Sequence, residues 1–298
     1  MAKITNKLNL PATLYNLANK DRYSRGKSRI SVTQLIDSPR VRMLRTEHDD
    51  KIEVDVSEMV WPLIGQALHY VVEQGADQTH MPEERLFMTI NGWTISGGID
   101  LQTVGKDANG IEQVVISDYK LTSAWAIMHN KIDWERQLNC YAHLVEKTKG
   151  YVVTGLEIIG VCRDWSRHEA GYKEGYPAAP ITRIPQRLWD EAERASYIEA
   201  RVALHQDAER RHAWSEGLPE CSEEERWYRP GKLAVMKEGR QKALKLFEVD
   251  ERDLAEAYAK ENKGKVEERP GQNTRCESFC PISQWCDQFQ KLKGENNE

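Results

Sequence analysis

The sequence has no long hydrophobic run. None of its apolar stretches approaches the ~20 residues that a membrane-spanning helix needs, although 40% of the 298 residues are hydrophobic. The first residues, MAKITNKLNLPATLYN, also lack the apolar region of a signal peptide. We therefore expect a cytoplasmic protein that does not contact a membrane. Its length is sufficient for one large domain, or for a core with an appended module.

An excess of positive charge is absent as well. The formal net charge is -5, which argues against a protein that coats nucleic acid without specificity but does not exclude a local basic groove. The six cysteines are not accompanied by a secretory signal. This combination argues against a disulfide framework and favours free thiols or metal ligands.

The most informative stretch is a predicted β-hairpin between residues 97 and 120. Its first strand ends in Gly97-Gly98-Ile99-Asp100, residues 105–110 form a polar turn, and the returning strand ends in Ser117-Asp118-Tyr119-Lys120. Asp100 and Asp118 therefore lie close together, and Lys120 is on the same side of its strand as Asp118. Two close carboxylates favour a divalent cation such as Mg²⁺. The alternative is that Asp100 ends one strand, Asp118 caps a turn and Lys120 is a solvated charge.

Three helices are predicted before this hairpin, and the second of them is a short helix over residues 40–47. Residues 31–34 have a capping-box pattern, which predicts a helix from about Val32 that is broken at Ser38-Pro39. A longer helix runs to about Gly75, with Ser57 as its predicted cap and its apolar residues at helical spacing. Gly65, His69 and Glu73 share one face of that helix. Either this face offers ligands, or the polar edge carries a histidine without a function.

The remaining elements predict an α/β core. A helix over residues 133–149 places Trp134, Leu138, Tyr141 and Val145 inward and carries Gln137 one turn before Tyr141. Strands follow at residues 151–162 and 181–184, and a long charged helix at residues 185–214. This order predicts a mixed sheet flanked by helices. We expect a flexible arm at residues 1–30, basic from residue 20 to 29, a core at residues 31–214 and a further region at residues 215–298.

The C-terminal region differs in composition. Positive charge collects between residues 229 and 245, which predicts contacts with phosphate; the candidate residues are Arg229, Lys232, Lys237, Arg240 and Lys242. A helix is predicted over residues 251–261. Three cysteines with spacing typical of metal ligation follow, namely Cys276, Cys280 and Cys286. Cys140 and Cys162 lie in apolar patterns and are predicted to be buried small hydrophobic residues.

Taken together, these motifs resemble the RecB-like nucleases of the PD-(D/E)XK superfamily, particularly phage exonucleases and nucleases of CRISPR adaptation. The matching motifs cover most of residues 31–286 and are GQALH with His69, GGID with Asp100, DYK with Asp118 and Lys120, and QLNCY with Gln137 and Tyr141. The resemblance implies a restriction-endonuclease-like sheet and a C-terminal region with a cysteine-ligated cluster. One departure is that Ser38-Pro39 stands where many relatives have a Cys-Pro pair.

The resemblance also implies site residues and cofactors. His69, Asp100 and Asp118 would bind Mg²⁺ or Mn²⁺ together with the Tyr119 carbonyl. Lys120 would position the attacking water, and Gln137 and Tyr141 would orient the DNA strand or Lys120. Cys276, Cys280 and Cys286 would hold a [4Fe-4S] cluster, which needs four thiolates, and Cys221 is the candidate for the fourth. Structural Zn²⁺ in a Cys₄ site is the alternative.

The function implied is a metal-dependent DNA exonuclease in a bacterial host cell, acting in phage or prophage recombination, repair or replication. Its partners would be DNA and a single-strand annealing protein or another recombination protein. Two alternatives stay open: a DNA-binding or regulatory iron-sulfur protein with a vestigial nuclease site, and a nuclease of CRISPR spacer capture. The complete set His69, Asp100, Asp118 and Lys120 counts against a vestigial site.

Overall fold

The computed structural model describes residues 3–20 and 26–295, so part of the basic segment 20–29 lies outside the described residues. The chain divides into two compact units. The first contains Met1–Asp37 and Asp50–Ser215, and the second contains Ser38–Asp49 and Glu216–Glu298. The change of composition after Trp214 thus coincides with a change of unit. The second unit also takes in residues 38–49, which precede most of the first unit in sequence.

The strands, in chain order, are β1 Lys3–Thr5, β2 Ile30–Ser31, β3 Glu53–Asp55, β4 His80–Ile90, β5 Trp93–Lys106, β6 Glu112–Thr122, β7 Val152–Cys162, β8 Ile181–Gln186, β9 Tyr228–Arg229, β10 Lys232–Met236, β11 Lys245–Glu248, β12 Lys265–Arg269 and β13 Gln272–Asn273. The helices are α1 Ala12–Ala18, α2 Val32–Leu35, α3 Pro39–Glu47, α4 Val60–Glu73, α5 Ala124–His129, α6 Ile132–Lys149, α7 Arg167–Ala170, α8 Glu191–Ala213, α9 Arg252–Glu261, α10 Thr274–Ser278 and α11 Asp287–Glu295. No described helix is long and apolar enough to cross a membrane.

A mixed sheet forms the centre of the first unit, as the order of the predicted elements indicated. Strands β2, β5, β6, β7 and β8 are neighbours in that order, and β4 pairs with β5. The β6–β7 pair is parallel, whereas β5–β6 and β7–β8 are antiparallel. The antiparallel pairs are joined by short connections or loops, and the parallel pair is joined through α5 and α6. The prediction of a mixed α/β fold is therefore confirmed.

Helix α6 packs against this sheet through the predicted residues. Trp134, Leu138, Tyr141 and Val145 are all buried, which confirms the helical spacing read from the sequence. The contact requires glycine at Gly97, because a Cβ at that position would lie 2.7 Å from Leu144 Cδ1 and 2.9 Å from Tyr141 Cδ1. Gly97 therefore allows a close approach of the helix to the sheet, and this approach holds the Tyr141 ring next to β5.

Helix α4 is present where the helical spacing predicted it, but none of its residues is buried, and Val71 is 65% exposed. The expected cap at Ser57 is wrong. A 3₁₀ helix, Val56–Met59, precedes α4, and the side chain of Asp55 caps it by accepting the backbone N–H of Ser57. The spacing of its apolar residues predicted the helix correctly but did not predict whether these residues are buried.

Other local predictions have mixed outcomes. The capping box at Ser31 and Gln34 is present and begins α2. Helix α8 begins at Glu191 instead of residue 185, because β8 continues to Gln186 and Asp190 then caps the helix. In the N-terminal segment, for which the sequence suggests a flexible arm, Lys3–Thr5 pairs with Glu53–Asp55.

The second unit contains a small sheet of its own. Strand β10 lies between β11 and β12, antiparallel to both. Helix α9 contributes Ala255 and Ala259 to a core with Leu233, Val235 and Phe247. This sheet was not predicted, since its strands are short and their apolar alternation is weak.

Candidate metal centre

Asp100 lies at the point where strand β5 changes its neighbour. On one edge of β5, Ile95 and Ser96 pair with β2, and the pairing with β6 begins only at Leu101. Because the ladder with β6 stops there, the backbone N–H of Tyr119 has no partner on β5. It donates to Asp100 Oδ2 instead, at 2.8 Å. The predicted proximity of the hairpin carboxylates thus has a structural cause in the divergence of the two strands.

Asp118 is the most enclosed carboxylate of the site, with 1% of its surface exposed. Gln137 Nε2 donates to Asp118 Oδ1 at 3.0 Å and to Tyr141 Oη at 2.8 Å. Lys120 Nζ forms an ion pair with Asp118 Oδ2 at 2.7 Å, but this oxygen has no hydrogen-bond partner of good geometry. The structure therefore brings together the residues of the DYK and QLNCY motifs around one carboxylate.

His69 comes from α4 and faces the same carboxylates. Its Nδ1 lies 3.5 Å from Asp100 Oδ1, and its ring meets Tyr119 edge-on at a centroid distance of 6.3 Å. A Cβ at Gly65, one turn earlier, would meet nothing within 4 Å. The helix face that carries Gly65 and His69 is thus open next to the carboxylates.

Glu83 is a site residue that the sequence analysis missed. Its Oε1 lies 3.1 Å from His69 Nδ1. One ligand atom each from His69, Glu83 and Asp100 lie within 4.8 Å of one another. Recognition of residues 80–90 as a strand paired with β5 would have placed Glu83 opposite Asp100, but that strand was not predicted.

A cavity of about 80 Å³ that opens to solvent adjoins these groups. His69, Glu73, Asp100 and Tyr119 are among the residues that line it. Glu73 shares the cavity with His69, as their spacing on α4 predicted. It does not belong to the group of three ligand atoms found among the described residues.

The carboxylates perturb the pKa values of the whole site. Burial, followed by repulsion from Asp118, raises the pKa of Asp100 to about 7. The hydrogen bond to Glu83 raises the pKa of His69, and the charge of Asp100 adds to this against the effect of burial. Burial lowers the pKa of Lys120, but the Asp118 carboxylate outweighs it, so the pKa of Lys120 lies above its ordinary value. Without a metal ion, Lys120 is therefore an ammonium group.

This donor set fits a divalent cation. Carboxylate oxygens and an imidazole nitrogen are ligands that Mg²⁺ and Mn²⁺ accept. The repulsion that raises the pKa of Asp100 is relieved by a positive charge between the carboxylates, and the buried Asp118 Oδ2 still has acceptor capacity. The residues that could hold the ion are His69, Asp100, Asp118, the Tyr119 carbonyl and Glu83.

The four candidate cluster cysteines all lie in the second unit. Cys221 and Cys286 are buried, and Cys276 and Cys280 are partly buried. Burial raises the pKa of Cys221 to about 12 and that of Cys276 to about 11. Within the described residues, no three of these sulfur atoms lie within 4.8 Å of one another. Thiolates around one zinc ion lie about 3.8 Å apart, from a Zn–S distance of about 2.3 Å, so the thiols do not form a zinc site as they stand.

Two residues next to these thiols come from the N-terminal end of α3. Ser38 Oγ lies 3.0 Å from Cys221 Sγ. Arg40, 2% exposed, has its Nη1 4.0 Å from Cys286 Sγ and forms an ion pair with Asp287. Ser38 is therefore in contact with Cys221, the residue predicted from the sequence to be the fourth ligand.

Most of the predicted phosphate-contacting residues are exposed in the second unit. Lys237, Arg240 and Lys242 lie in the loop between β10 and β11, and Arg229 is exposed on β9. Lys232 is different, because it forms an ion pair with Glu248 across the β10–β11 pair. Its charge is partly neutralised within the protein.

Comparison with known proteins gives one family match. The model of the family described as the PD-(D/E)XK nuclease superfamily matches residues 40–287. The crystal structure of SSO0001 is similar, with 17% identity and a TM-score of 0.41 over 65% of this chain and 82% of that one. The protein named "Putative exonuclease" from Eubacterium rectale shows 13% identity and a TM-score of 0.31 over 68% of this chain and 74% of that one. A search of the curated proteins found no match.

Proposed function

The chain belongs to the PD-(D/E)XK nuclease superfamily, whose members use divalent metal ions, and on this premise we propose that it is a DNA exonuclease dependent on Mg²⁺ or Mn²⁺. The observation that carries the proposal is the arrangement around Asp118. A buried carboxylate is held by Gln137 and Lys120, while Asp100 and His69 lie beside it. Burying a charged carboxylate costs free energy. A role in metal-assisted phosphodiester hydrolysis explains why the protein keeps this carboxylate buried.

Each residue has a distinct role in this proposal. Asp118, Asp100, His69 and the Tyr119 carbonyl bind the cation. Lys120 is charged, because the carboxylates raise its pKa, so it orients the attacking water and stabilises negative charge on the phosphate instead of acting as a base. Gln137 and Tyr141 hold Asp118 in position through the hydrogen bonds 3.0 Å and 2.8 Å long. When bound, the cation supplies a Lewis acid that polarises the phosphate and activates water.

We assign the activity to phage or prophage recombination, repair or replication, with a single-strand annealing protein or another recombination protein as partner. The resemblance of the ordered motifs to phage exonucleases supports this assignment. The complete site argues against a vestigial nuclease, since a decayed site would have lost at least one member of the set around Asp118.

The direct test is hydrolysis of end-labelled linear DNA and of covalently closed circular DNA, with Mg²⁺, Mn²⁺ or EDTA. We expect degradation of linear DNA only, and none in EDTA. Asp118→Asn and Lys120→Ala should abolish it without loss of folding, whereas Glu112→Gln, a partly exposed residue of the same strand, should be fully active. Near-native turnover by a folded Asp118→Asn protein would refute the assignment of the site, and cleavage of the circular substrate would refute exonuclease action.

We further propose that Cys221, Cys276, Cys280 and Cys286 ligate a [4Fe-4S] cluster. The four thiols share one compact unit, and the spacing Cys276-x₃-Cys280-x₅-Cys286, with Pro281 after the second cysteine, resembles iron-sulfur ligation. The buried guanidinium of Arg40 next to Cys286 would offset the negative charge of thiolate ligands. In this proposal Cys221 replaces the cysteine that relatives have at the position of Ser38.

The contact between Ser38 and Cys221 provides a specific test. Cys221→Ser should lose the cluster, and the second change Ser38→Cys should restore it, because the two side chains are 3.0 Å apart. Protein purified without oxygen should contain about four irons and four sulfides per chain, and Cys140→Ser, in a buried helix of the other unit, should retain them. One zinc per chain, or full iron in Cys221→Ser alone, would contradict the proposal.

A further inference from the structure

Glu83 interrupts an otherwise regular pair of strands. The β4–β5 ladder runs from His80↔Thr103 to Ile90↔Trp93, and the one missing pair is Glu83 with Asp100. Because Pro82↔Leu101 and Glu84↔Ile99 keep the same register, no residue has been inserted. The backbone turns at Glu83 alone.

The turn places Glu83 in the left-handed conformation, with φ at 50°. A side chain with a Cβ adopts this conformation at a cost in free energy, since the Cβ approaches the following carbonyl. Glycine, asparagine or aspartate would occupy it more easily. The pairing of the two strands therefore does not explain why a glutamate occupies this position.

The consequence of this conformation is that the Glu83 carboxylate reaches the metal centre. Its Oε1 lies 3.1 Å from His69 Nδ1 while the side chain remains 45% exposed. The ligand atoms of His69, Glu83 and Asp100 fall within 4.8 Å of one another. Ligand atoms around an octahedral ion, each at about 2.1–2.4 Å from it, are about 3–5 Å apart, so the three side chains fit around one cation.

Neighbouring carboxylates do not have this geometry. Asp118, which is also a proposed ligand, accepts a hydrogen bond from Gln137 at Oδ1 and forms an ion pair with Lys120 at Oδ2, and its ligand atoms are not part of the group of three in the described chain. Glu73 lines the same cavity as His69 and is also outside this group. Glu83 thus differs from these two acidic residues because its carboxylate lies within 4.8 Å of the ligand atoms of His69 and Asp100.

We propose that Glu83 is a direct ligand of the divalent cation, together with His69 and Asp100. This inference rests on the proposed metal-dependent function and adds a ligand that the sequence motifs do not contain. The competing explanation is that Glu83 only positions His69 through the hydrogen bond. A glutamine at residue 83 separates the two, since its carbonyl still accepts a hydrogen bond from the imidazole but carries no charge for the cation.

The test is a calorimetric titration of the full-length, chelator-treated protein with MnCl₂ in the absence of DNA. We expect Glu83→Gln to weaken Mn²⁺ binding by at least about 10- to 100-fold, the loss typical of removing a group that supports a metal ligand. Glu73→Gln is the matched control, because it removes the same charge from the same cavity, and it should bind Mn²⁺ as the wild type does.

A second variant tests the backbone. Glu83→Gly should weaken Mn²⁺ binding to the same extent and raise the melting temperature of the metal-free protein by about 2 °C, because glycine adopts a positive φ without strain. Equal affinities of Glu83→Gln and wild type, or equal losses in Glu83→Gln and Glu73→Gln, would overturn the assignment of Glu83. A wild type that binds no Mn²⁺ would instead refute the metal-dependent function itself.

Discussion

Replacement of Asp100 by asparagine tests the electrostatics of the site without removing its hydrogen bond. Asparagine keeps the acceptor for the Tyr119 N–H, which lies 2.8 Å from the carboxylate. The substitution removes the negative charge of Asp100, which burial and repulsion from Asp118 make unfavourable. Since the pKa of Asp100 rises from 3.8 to about 7 on folding, the folded state binds this proton more tightly than the unfolded state. Its contribution to stability is therefore present below about pH 4 and is lost as the pH rises through about 7.

The magnitude follows from the pKa difference. At about 1.4 kcal/mol for each pKa unit, ionisation of Asp100 costs the folded state about 4 kcal/mol by pH 8. The raised pKa of His69 changes stability in the same direction as the pH rises. We expect Asp100→Asn to be more stable than wild type by up to about 4 kcal/mol at pH 8 in EDTA. This corresponds to up to about 8 °C in melting temperature for a chain of this size, with little difference at pH 4.

The assay is thermal unfolding in EDTA at pH 4 and pH 8, followed by tryptophan fluorescence, with hydrolysis measured in parallel. Asp100→Asn should be inactive despite its stability, and Glu112→Gln should match wild type in both assays. Mn²⁺ should stabilise wild type more at pH 8 than at pH 5, because its ligands must be deprotonated, and should have little effect on Asp100→Asn. A variant that is less stable than wild type at pH 8 would refute the conclusion that Asp100 is held under repulsion.

Three other substitutions give separate expectations. Gly97→Ala should destabilise the protein by about 1–3 kcal/mol in urea unfolding and reduce activity, because its Cβ would displace Tyr141; unchanged stability would contradict the close approach of α6. Gly65→Ala should stabilise α4 by up to about 1 kcal/mol, since its Cβ meets nothing in the protein, but raise the KM for DNA if the strand passes over this face; an unchanged KM would exclude that path. Neutralising the basic residues of the 237–242 loop should reduce the slope of log K for DNA binding against log salt concentration by about one unit per lost phosphate contact. An unchanged slope would show that the loop does not contact phosphate.

Local patterns in the sequence predicted much of the first unit. Alternation identified β5 and β6, and the two-residue period placed Asp118 and Lys120 on one side of the strand, where they form an ion pair. The spacing of apolar residues identified α6 and its buried face. These features depend on residues close in the chain, so their geometry follows from the backbone conformation itself.

The same kind of pattern did not predict the surroundings of α4. Its apolar residues have helical spacing, and the helix is present, but none of them is buried. Spacing determines which residues share a face, whereas burial depends on what the rest of the chain places against that face. The contact of Ser38 with Cys221 is a similar case, because 183 residues separate them.

The sequence by itself determined the identity of the hairpin carboxylates, the lysine beside them and the helix that carries Gln137. Only the tertiary structure decided that Asp100 stands where β5 changes its neighbour, and that Glu83 turns out of its strand to join His69. Both depend on the register of paired strands and on one backbone angle, which arise from long-range pairing. A residue such as Glu83 therefore has no local signal, and its position becomes visible only when the strand opposite Asp100 is in place.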